Sequence, residues 1–407
     1  MSFVANLRAV VRFDGIERDP VARRLARAAS VEDLRRISRR RLPHGVFDYV
    51  DGGAEDERTM AGNRAAYGAV GFRPRVLRNV SSVDVSSTLL GSPVAYPLVL
   101  APTGFTRIVH PDGELAVARA ADKAGVPFTL STLSTCSIEE VRAVSNGRLW
   151  FQVYAWRDRG LVKEMVSRAG ESRYDTLVLT VDTAALGRRE RDVRRGFSLP
   201  PTIGPRTFLD GALHPSWTIN FLRSDPIRFA NVLGRSEHDV GDADTPTVMS
   251  DYIHTQFDPA LSWSDVEWLR GEWDGPIVIK GIATVADAVI AADLGVAAVA
   301  LSNHGGRQLD GAPATFSLVA PVVDAVAGRT DVICDGGVRR GSDIVKALAA
   351  GASACMAGRA YLFALGAGGQ QGVDKMLEWF RNDMTRTMTL LGARDVGELD
   401  RSLLDQA

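Results

Sequence analysis

Pro276 to Asn303 runs PIVIKGIATVADAVIAADLGVAAVALSN. Its first apolar run, Pro276–Gly281, is too short for a helix and ends on a lysine and a glycine. Val285–Leu294 then spaces its apolar residues as a helix does, Gly295 closes it, and a second apolar run, Ala297–Asn303, ends on serine and asparagine. Strand, helix and strand in this order, with strands apolar on both faces, form a parallel unit whose sheet is covered on both sides.

The same pattern repeats outward from this unit. Six further runs, Pro97–Thr103, Phe128–Thr132, Trp150–Tyr154, Thr176–Asp182, Asp331–Asp335 and Ala354–Arg359, bring the strands to eight. Helical patterns at Glu114–Ala124, Asp158–Ala169 and Ser342–Ala350 lie between them, with Gly125, Gly170 and Gly351 expected as C-caps. Eight evenly spaced buried strands with no edge strand predict an α/β fold, a closed (β/α)8 TIM barrel rather than an open doubly wound sheet. The barrel is expected over residues 86–391, after a small helical cap at residues 1–85 in which Ser30-Val-Glu-Asp33 reads as a capping box. A C-terminal tail follows at 392–407. The rhythm breaks once, after the fourth strand, where residues 196–262 form a long insertion. Its prolines (Pro200, Pro201, Pro205, Pro215, Pro226, Pro246, Pro259) and glycines (Gly204, Gly211, Gly234, Gly241) predict a largely irregular segment, a lid or binding element.

Composition narrows the function. The 407 residues carry 48 Lys+Arg against 49 Asp+Glu, a balance that gives nucleic acid no basic footprint. Cys136, Cys334 and Cys355 match neither a disulfide scaffold nor paired zinc ligands, so core positions, a cytoplasmic location and no metal are expected. There is no run of about 18 apolar residues, the length a spanning helix needs.

In a barrel the chemistry sits where the strands end. After strands seven and eight, Asp335-Gly-Gly-Val-Arg339 and Gly358-Arg359 predict a phosphate site, because glycines let backbone N–H groups approach and the arginines add charge. Lys280, at the end of an apolar strand, requires an anionic neighbour. His304, with Asp182 ending a nearby strand and Arg307 three residues on, reads as a base oriented by a carboxylate beside a bidentate clamp for a substrate carboxylate. Arg189, in the charged run Gly187 to Arg195, follows the fourth strand closely enough to supply a second clamp.

Ser302-Asn-His-Gly-Gly-Arg-Gln-Leu-Asp310, Leu42-Pro-His-Gly-Val-Phe-Asp-Tyr49, Gly52-Gly-Ala-Glu-Asp56, Thr180-Val-Asp182, Leu186-Gly-Arg-Arg189 and Asp335-Gly-Gly-Val-Arg-Arg-Gly341 together resemble the FMN-dependent L-2-hydroxy acid oxidases and dehydrogenases, over roughly residues 30–400. The resemblance implies that FMN is the cofactor and that His304 is the base, held by Asp182. It implies substrate binding by Tyr49, Tyr154, Arg189 and Arg307, and a role for Lys280 beside flavin N1. Pro102, Thr103, Gly104, Ser131, Gln152, Thr180 and Ser302 would surround the isoalloxazine and ribityl chain, with the phosphate on Asp335, Gly336, Gly337, Arg339, Gly358 and Arg359.

Within the family, Gly104 resembles mandelate dehydrogenase and the bacterial lactate dehydrogenases, where oxidases carry Ala. Leu133 implies a medium pocket, where glycolate oxidases have Trp and mandelate dehydrogenases a small residue. The expected activity is oxidation of L-lactate to pyruvate with a quinone or other non-oxygen acceptor; the alternatives are an oxidase releasing hydrogen peroxide and a mandelate-type dehydrogenase. Trp217, Ile219, Phe221, Leu222, Ile227 and Phe229, among Arg223, Arg228 and Arg235, raise two readings of residues 213–235: peripheral contact with an anionic membrane, or a lid packed on the barrel. A homo-oligomer, a tetramer, is expected from the family alone.

Overall fold

The computed structural model of the chain describes residues 17–196, 204–232 and 255–406. Eight parallel strands form a closed barrel: β1 (Leu98–Leu100), β2 (Phe128–Ser131), β3 (Leu149–Tyr154), β4 (Thr176–Thr180), β5 (Ile277–Ile282), β6 (Ala298–Leu301), β7 (Asp331–Asp335) and β8 (Ala354–Ala357). Each pairs with its neighbour in the chain, and β8 closes on β1 with Cys355 opposite Leu98 and Ala357 opposite Leu100. Helices α1 (Gly113–Ala124), α2 (Ile138–Ala143), α3 (Arg159–Glu171), α4 (Ser264–Arg270), α5 (Val285–Asp293), α6 (Thr315–Val326), α7 (Gly341–Ala349) and α8 (Arg359–Leu391) surround it.

The strands are buried on both faces because their apolar runs are continuous. One face packs on the helices. The other fills the interior with Val99, Trp150, Val178, Val278, Ala298, Ala300, Ile333 and Met356, capped by Leu89 and Val94 of a hairpin, Ser87–Leu89 and Ser92–Val94. That hairpin bonds to the starts of strands, Leu90 N–H to Asp331 and Arg148 to the Leu89 carbonyl, so it plugs the N-terminal end and leaves the other end as the mouth. The cysteines are buried and unpaired by disulfides.

Before the barrel come helices Pro20–Leu25, Val31–Arg41, His44–Asp51 and Arg58–Gly68. The Val31–Arg41 helix packs on α8, which bends at Gly368 and Gly369. At the other end, Leu404–Gln406 pairs antiparallel with Val70–Phe72. The box at Ser30 is half formed: its hydroxyl accepts from Asp33 N–H, but the short Asp33 carboxylate takes the N–H of Ala29 instead of the cap residue's own.

Two expectations are corrected. Gly170 is not a C-cap, because α3 continues through Glu171 and Arg173 takes the left-handed position at φ 58°; Gly125, Gly295 and Gly351 do have positive φ beyond their helices. The described part of the insertion is not largely irregular. Helices Pro205–Leu213 and Pro215–Arg223 begin on the very prolines read as breakers, which at a first helical position lose no hydrogen bond and have φ preset. Pro200, Pro201, Gly234, Gly241 and Pro246 lie outside the described residues.

Candidate active site

A cavity of about 550 Å³ opens at the mouth. Pro102, Thr103, Gly104, Ser131, Gln152, Thr180, Lys280, Asp335, Gly336, Gly337, Arg339, Gly358 and Arg359 line it, together with Tyr49, Tyr154, Arg189, His304 and Arg307. Of the residues expected at the site, only Asp182 and Ser302 stand one layer behind the wall. The strand ladders stop short of the runs read from sequence, β1 at Leu100, β4 at Thr180 and β6 at Leu301, which releases Pro102–Gly104, Asp182 and Ser302–His304 into the loops facing the cavity.

His304 follows β6 with φ 56°, a left-handed conformation that Gly305 and Gly306 continue at 64° and 77°. The two glycines have no choice: a Cβ on Gly305 would sit 2.7 Å from Arg359 Nη1, and one on Gly306 2.6 Å from Met60 N. The turn aims the imidazole across the mouth, where Nδ1 is 3.0 Å from Asp182 Oδ1. Burial alone would raise the Asp182 pKa, but the charge and hydrogen bond of His304 and the charge of Lys280 hold it below the ordinary carboxylate value. Asp182 therefore fixes the ring, leaving Nε2 to exchange a proton in the cavity. Gln308, within the motif after β6, locks the segment in place. Its Nε2 donates to the carbonyls of Asp182 and Ala185, and its Oε1 accepts from Gly187 N–H.

Beyond His304, the guanidinium carbons of Arg307 and Arg189 lie 5.0 and 5.5 Å from the Tyr49 ring centroid. Arg307 donates to the Tyr49 carbonyl at 2.6 Å. Burial first, then the like charge of Arg189, lower its pKa to about 10. Arg189 Nε is 3.5 Å from Asp192, whose own pKa burial raises. Tyr154 packs edge-on against Phe257 and burial pushes its hydroxyl pKa up. Two cations at one aromatic ring beside a base can hold a small carboxylate.

Lys280 finds its anion. It is 3% exposed, with Nζ 3.3 Å from Asp335 and 3.0 Å from the Ser302 hydroxyl, which donates to Asp335 at 2.7 Å. Gln152 accepts from the Ser131 hydroxyl through Oε1, while its buried Nε2 has no partner among the described residues. At the far end Arg359 donates to the carbonyls of Val50, Gly52 and Gly305, and Arg339 to that of Val338. Burial and the neighbouring cations lower their pKa values to about 9 and about 10. Among the described residues neither is paired with a carboxylate. Gly358 caps the N-terminus of α8 beside them, and Gly337 packs so closely that a Cβ would lie 2.3 Å from the Asn63 carbonyl. Desolvated cations, a helix N-terminus and side-chain-free backbone fit a phosphate, and the unpartnered Gln152 amide fits an acceptor on a ring beside it.

The chain matches the family described as FMN-dependent dehydrogenase over residues 38–406. The chain belongs to the FMN-dependent dehydrogenase family. FMN is its cofactor, which the donors at both ends of the cavity fit, and oxidation is its chemistry. Among relatives of this FMN-dependent dehydrogenase, the L-lactate dehydrogenase of Caulobacter vibrioides is 43% identical over 92% of this chain and 97% of its own. Glycolate oxidase 3 of Arabidopsis thaliana is 42% identical over 92% and 95%. The crystal structure of the monotopic membrane protein (S)-mandelate dehydrogenase superposes with a TM-score of 0.89, at 39% identity, over 93% of this chain and 99% of that one.

Several residues escaped the sequence reading. Asn63 and Asn303 exchange two hydrogen bonds at 2.8 and 2.9 Å, pinning the β6 loop to the N-terminal helices. Glu114, fully buried, accepts from Thr106 and Thr135, joining the loops after β1 and β2. A single Asn or Glu with no local pattern gives no signal of such distant partners.

Proposed function

We propose that this enzyme oxidises L-lactate to pyruvate and delivers the electrons to a membrane quinone rather than to oxygen. The observation that carries the reading is the His304–Asp182 pair facing Arg307, Arg189 and Tyr49 across one small space. The arginine forks bind the substrate carboxylate, and the Tyr49 and Tyr154 hydroxyls hold its oxygens. His304 Nε2 takes the proton, and Asp182 stabilises the imidazolium. FMN, when bound, would take up the two electrons and the second proton that leave the substrate. Lys280 sets a positive charge at the pocket wall, while Arg339, Arg359 and the Gly336, Gly337 and Gly358 backbone hold phosphate.

Lactate is favoured by the relatives named for it and by Leu133 in the pocket wall. Gly104 supports the non-oxygen acceptor. A Cβ there would stand 3.0 Å from Leu133 Cβ, so the methyl group of the oxidases would have no room without a shift. The insertion supports a membrane-borne acceptor and a place on the inner face of the cell membrane. Trp217, Ile227 and Phe229 turn inward, Trp217 donating to the Ile108 carbonyl and Phe229 packing on Phe105. Ile219 and Leu222 are exposed, as are Phe208, Leu209 and Leu213 on the preceding helix. Over the described residues 213–232 the inward side chains support the lid and the exposed ones the membrane contact, on opposite faces, and no described helix is long and apolar enough to cross a membrane.

The test is the visible spectrum of the anaerobic holoenzyme before and after L-lactate, then after air. Bleaching with slow recovery is expected; fast recovery identifies the oxidase, and bleaching by mandelate alone the mandelate-type enzyme. His304→Gln should slow bleaching about 100- to 10,000-fold with FMN still bound, and near-normal bleaching would refute the base. Co-sedimentation with anionic vesicles, abolished in Leu213→Ser/Leu222→Ser, checks the membrane face.

A further inference from the structure

Away from the mouth, the insertion meets the N-terminal helices at a cluster that the oxidation does not use. Asp210, in the Pro205–Leu213 helix, reaches the first turn of the His44–Asp51 helix, 166 residues away in sequence. Its Oδ2 accepts the His44 backbone N–H at 2.7 Å, which fixes the carboxylate and turns Oδ1 toward two imidazoles. His44 Nδ1 lies 2.7 Å from Oδ1 and His214 Nδ1 3.3 Å from it. The His214 ring is oriented by the Asp210 carbonyl, 2.7 Å from the same nitrogen, and the two rings stand edge to face with centroids 5.5 Å apart.

We propose that His44, Asp210 and His214 form a binding site for a divalent transition metal of the zinc class, which fastens the insertion to the helix carrying Tyr49. One ligand atom from each of the three side chains lies within 4.8 Å of the others. Around tetrahedral zinc, ligand atoms about 2.0–2.2 Å from the metal stand about 3.3 Å apart, so the set closes on an ion through small side-chain rotations. The two Nδ1 atoms that face Asp210 carry the protons of those hydrogen bonds, which an incoming ion displaces, and the resulting N/O donor set suits zinc, nickel or copper better than calcium or magnesium. The His44 side chain is 50% exposed while His214 is 10% exposed, so the ion has an entry path and a solvent-facing fourth position for water. The metal bridges parts of the chain that otherwise meet here through hydrogen bonds and one ring contact, at the base of the helix that brings Tyr49 to the cavity.

The test is equilibrium dialysis of the FMN-loaded enzyme, stripped with chelator, against micromolar zinc chloride, counting zinc and flavin per chain. One zinc per chain is expected in the wild type. His44→Gln and His214→Gln, which keep a hydrogen-bonding side chain but lose the ligand nitrogen, should each weaken binding at least tenfold with FMN content unchanged. His110→Ala, removing the imidazole beside Asp112, should bind zinc as the wild type does. Zinc should also slow tryptic cleavage after Arg206 and Arg223 in the wild type and not in the glutamine variants. Absence of stoichiometric zinc, equal binding by the glutamine variants, or bound zinc that leaves the cleavage rate unaltered would each overturn the proposal.

Discussion

Two arginines of the rim and three of the mouth are held in opposite ways. At the rim, Arg35 and Arg191 converge on the buried Asp51, Arg35 through two bonds of 2.6 and 2.9 Å and Arg191 through one of 2.8 Å, and Arg191 also reaches Glu57. At the mouth, Arg307, Arg339 and Arg359 reach backbone carbonyls, which supply hydrogen bonds but no compensating charge. Their pKa values move accordingly. The hydrogen bond to Asp51 raises that of Arg35, and burial lowers that of Arg359 to about 9. A carboxylate-paired arginine is a cross-link completed by folding; an arginine on carbonyls keeps its charge for a ligand to complete.

Breaking the contrast at the mouth should have the largest effect. Arg359→Met removes a charge-assisted contact worth about 1.5–3 kcal/mol, so the FMN dissociation constant should rise about 10- to 100-fold by flavin fluorescence titration. The FMN-free protein should melt no lower than wild type, since an unpaired desolvated cation has gone. A large fall in its melting temperature would place Arg359 in the rim class.

The converse is Asp51→Asn, which should lower stability by about 2 kcal/mol, below the value for a fully buried pair because Arg35 and Arg191 keep partial solvent contact. FMN affinity should be unchanged. The pH dependence has a definite sign. Burial would raise the Asp51 pKa, but Arg35 and Arg191 outweigh it and hold it below 3.8. Its contribution is therefore full above that value and lost as pH falls through the lower folded value, so denaturant melts of wild type and Asp51→Asn should converge in acid.

Gly104→Ala, which touches neither class of arginine, should have the smallest effect, about 1 kcal/mol from overpacking. Leu133→Ala in the same chain should recover most of it, as read by thermal melts; no recovery would mean the strain lies elsewhere.

The barrel was legible because its strands are continuous apolar runs broken by polar ends, a pattern that local sequence carries. The cavity-lining residues stood at those ends, so strand counting brought most of them onto one face. What was not legible depends on partners far along the chain. The β6 loop is anchored by Asn63, 240 residues from Asn303, and Arg35 and Arg191 meet on Asp51 across 16 and 140 residues. Arg173 could occupy a left-handed position reserved by propensity for Gly170 because tertiary packing outweighs a preference of about 1 kcal/mol. The insertion misled for a local reason: a proline starts a helix as readily as it ends one, and only its position decides.

Three of the carbonyls that receive the mouth arginines belong to Tyr49, Val50 and Gly52, while their donors come 258 residues later from Arg307 and 309 and 307 residues later from Arg359. A chain emerging from the ribosome must therefore keep its first helices waiting through the synthesis of nearly the whole barrel. Contacts of such separation slow the search for the native state. Until Arg359 appears, the apolar faces of those helices have no lasting home, and this interval of translation is when the protein is most open to aggregation or to a chaperone.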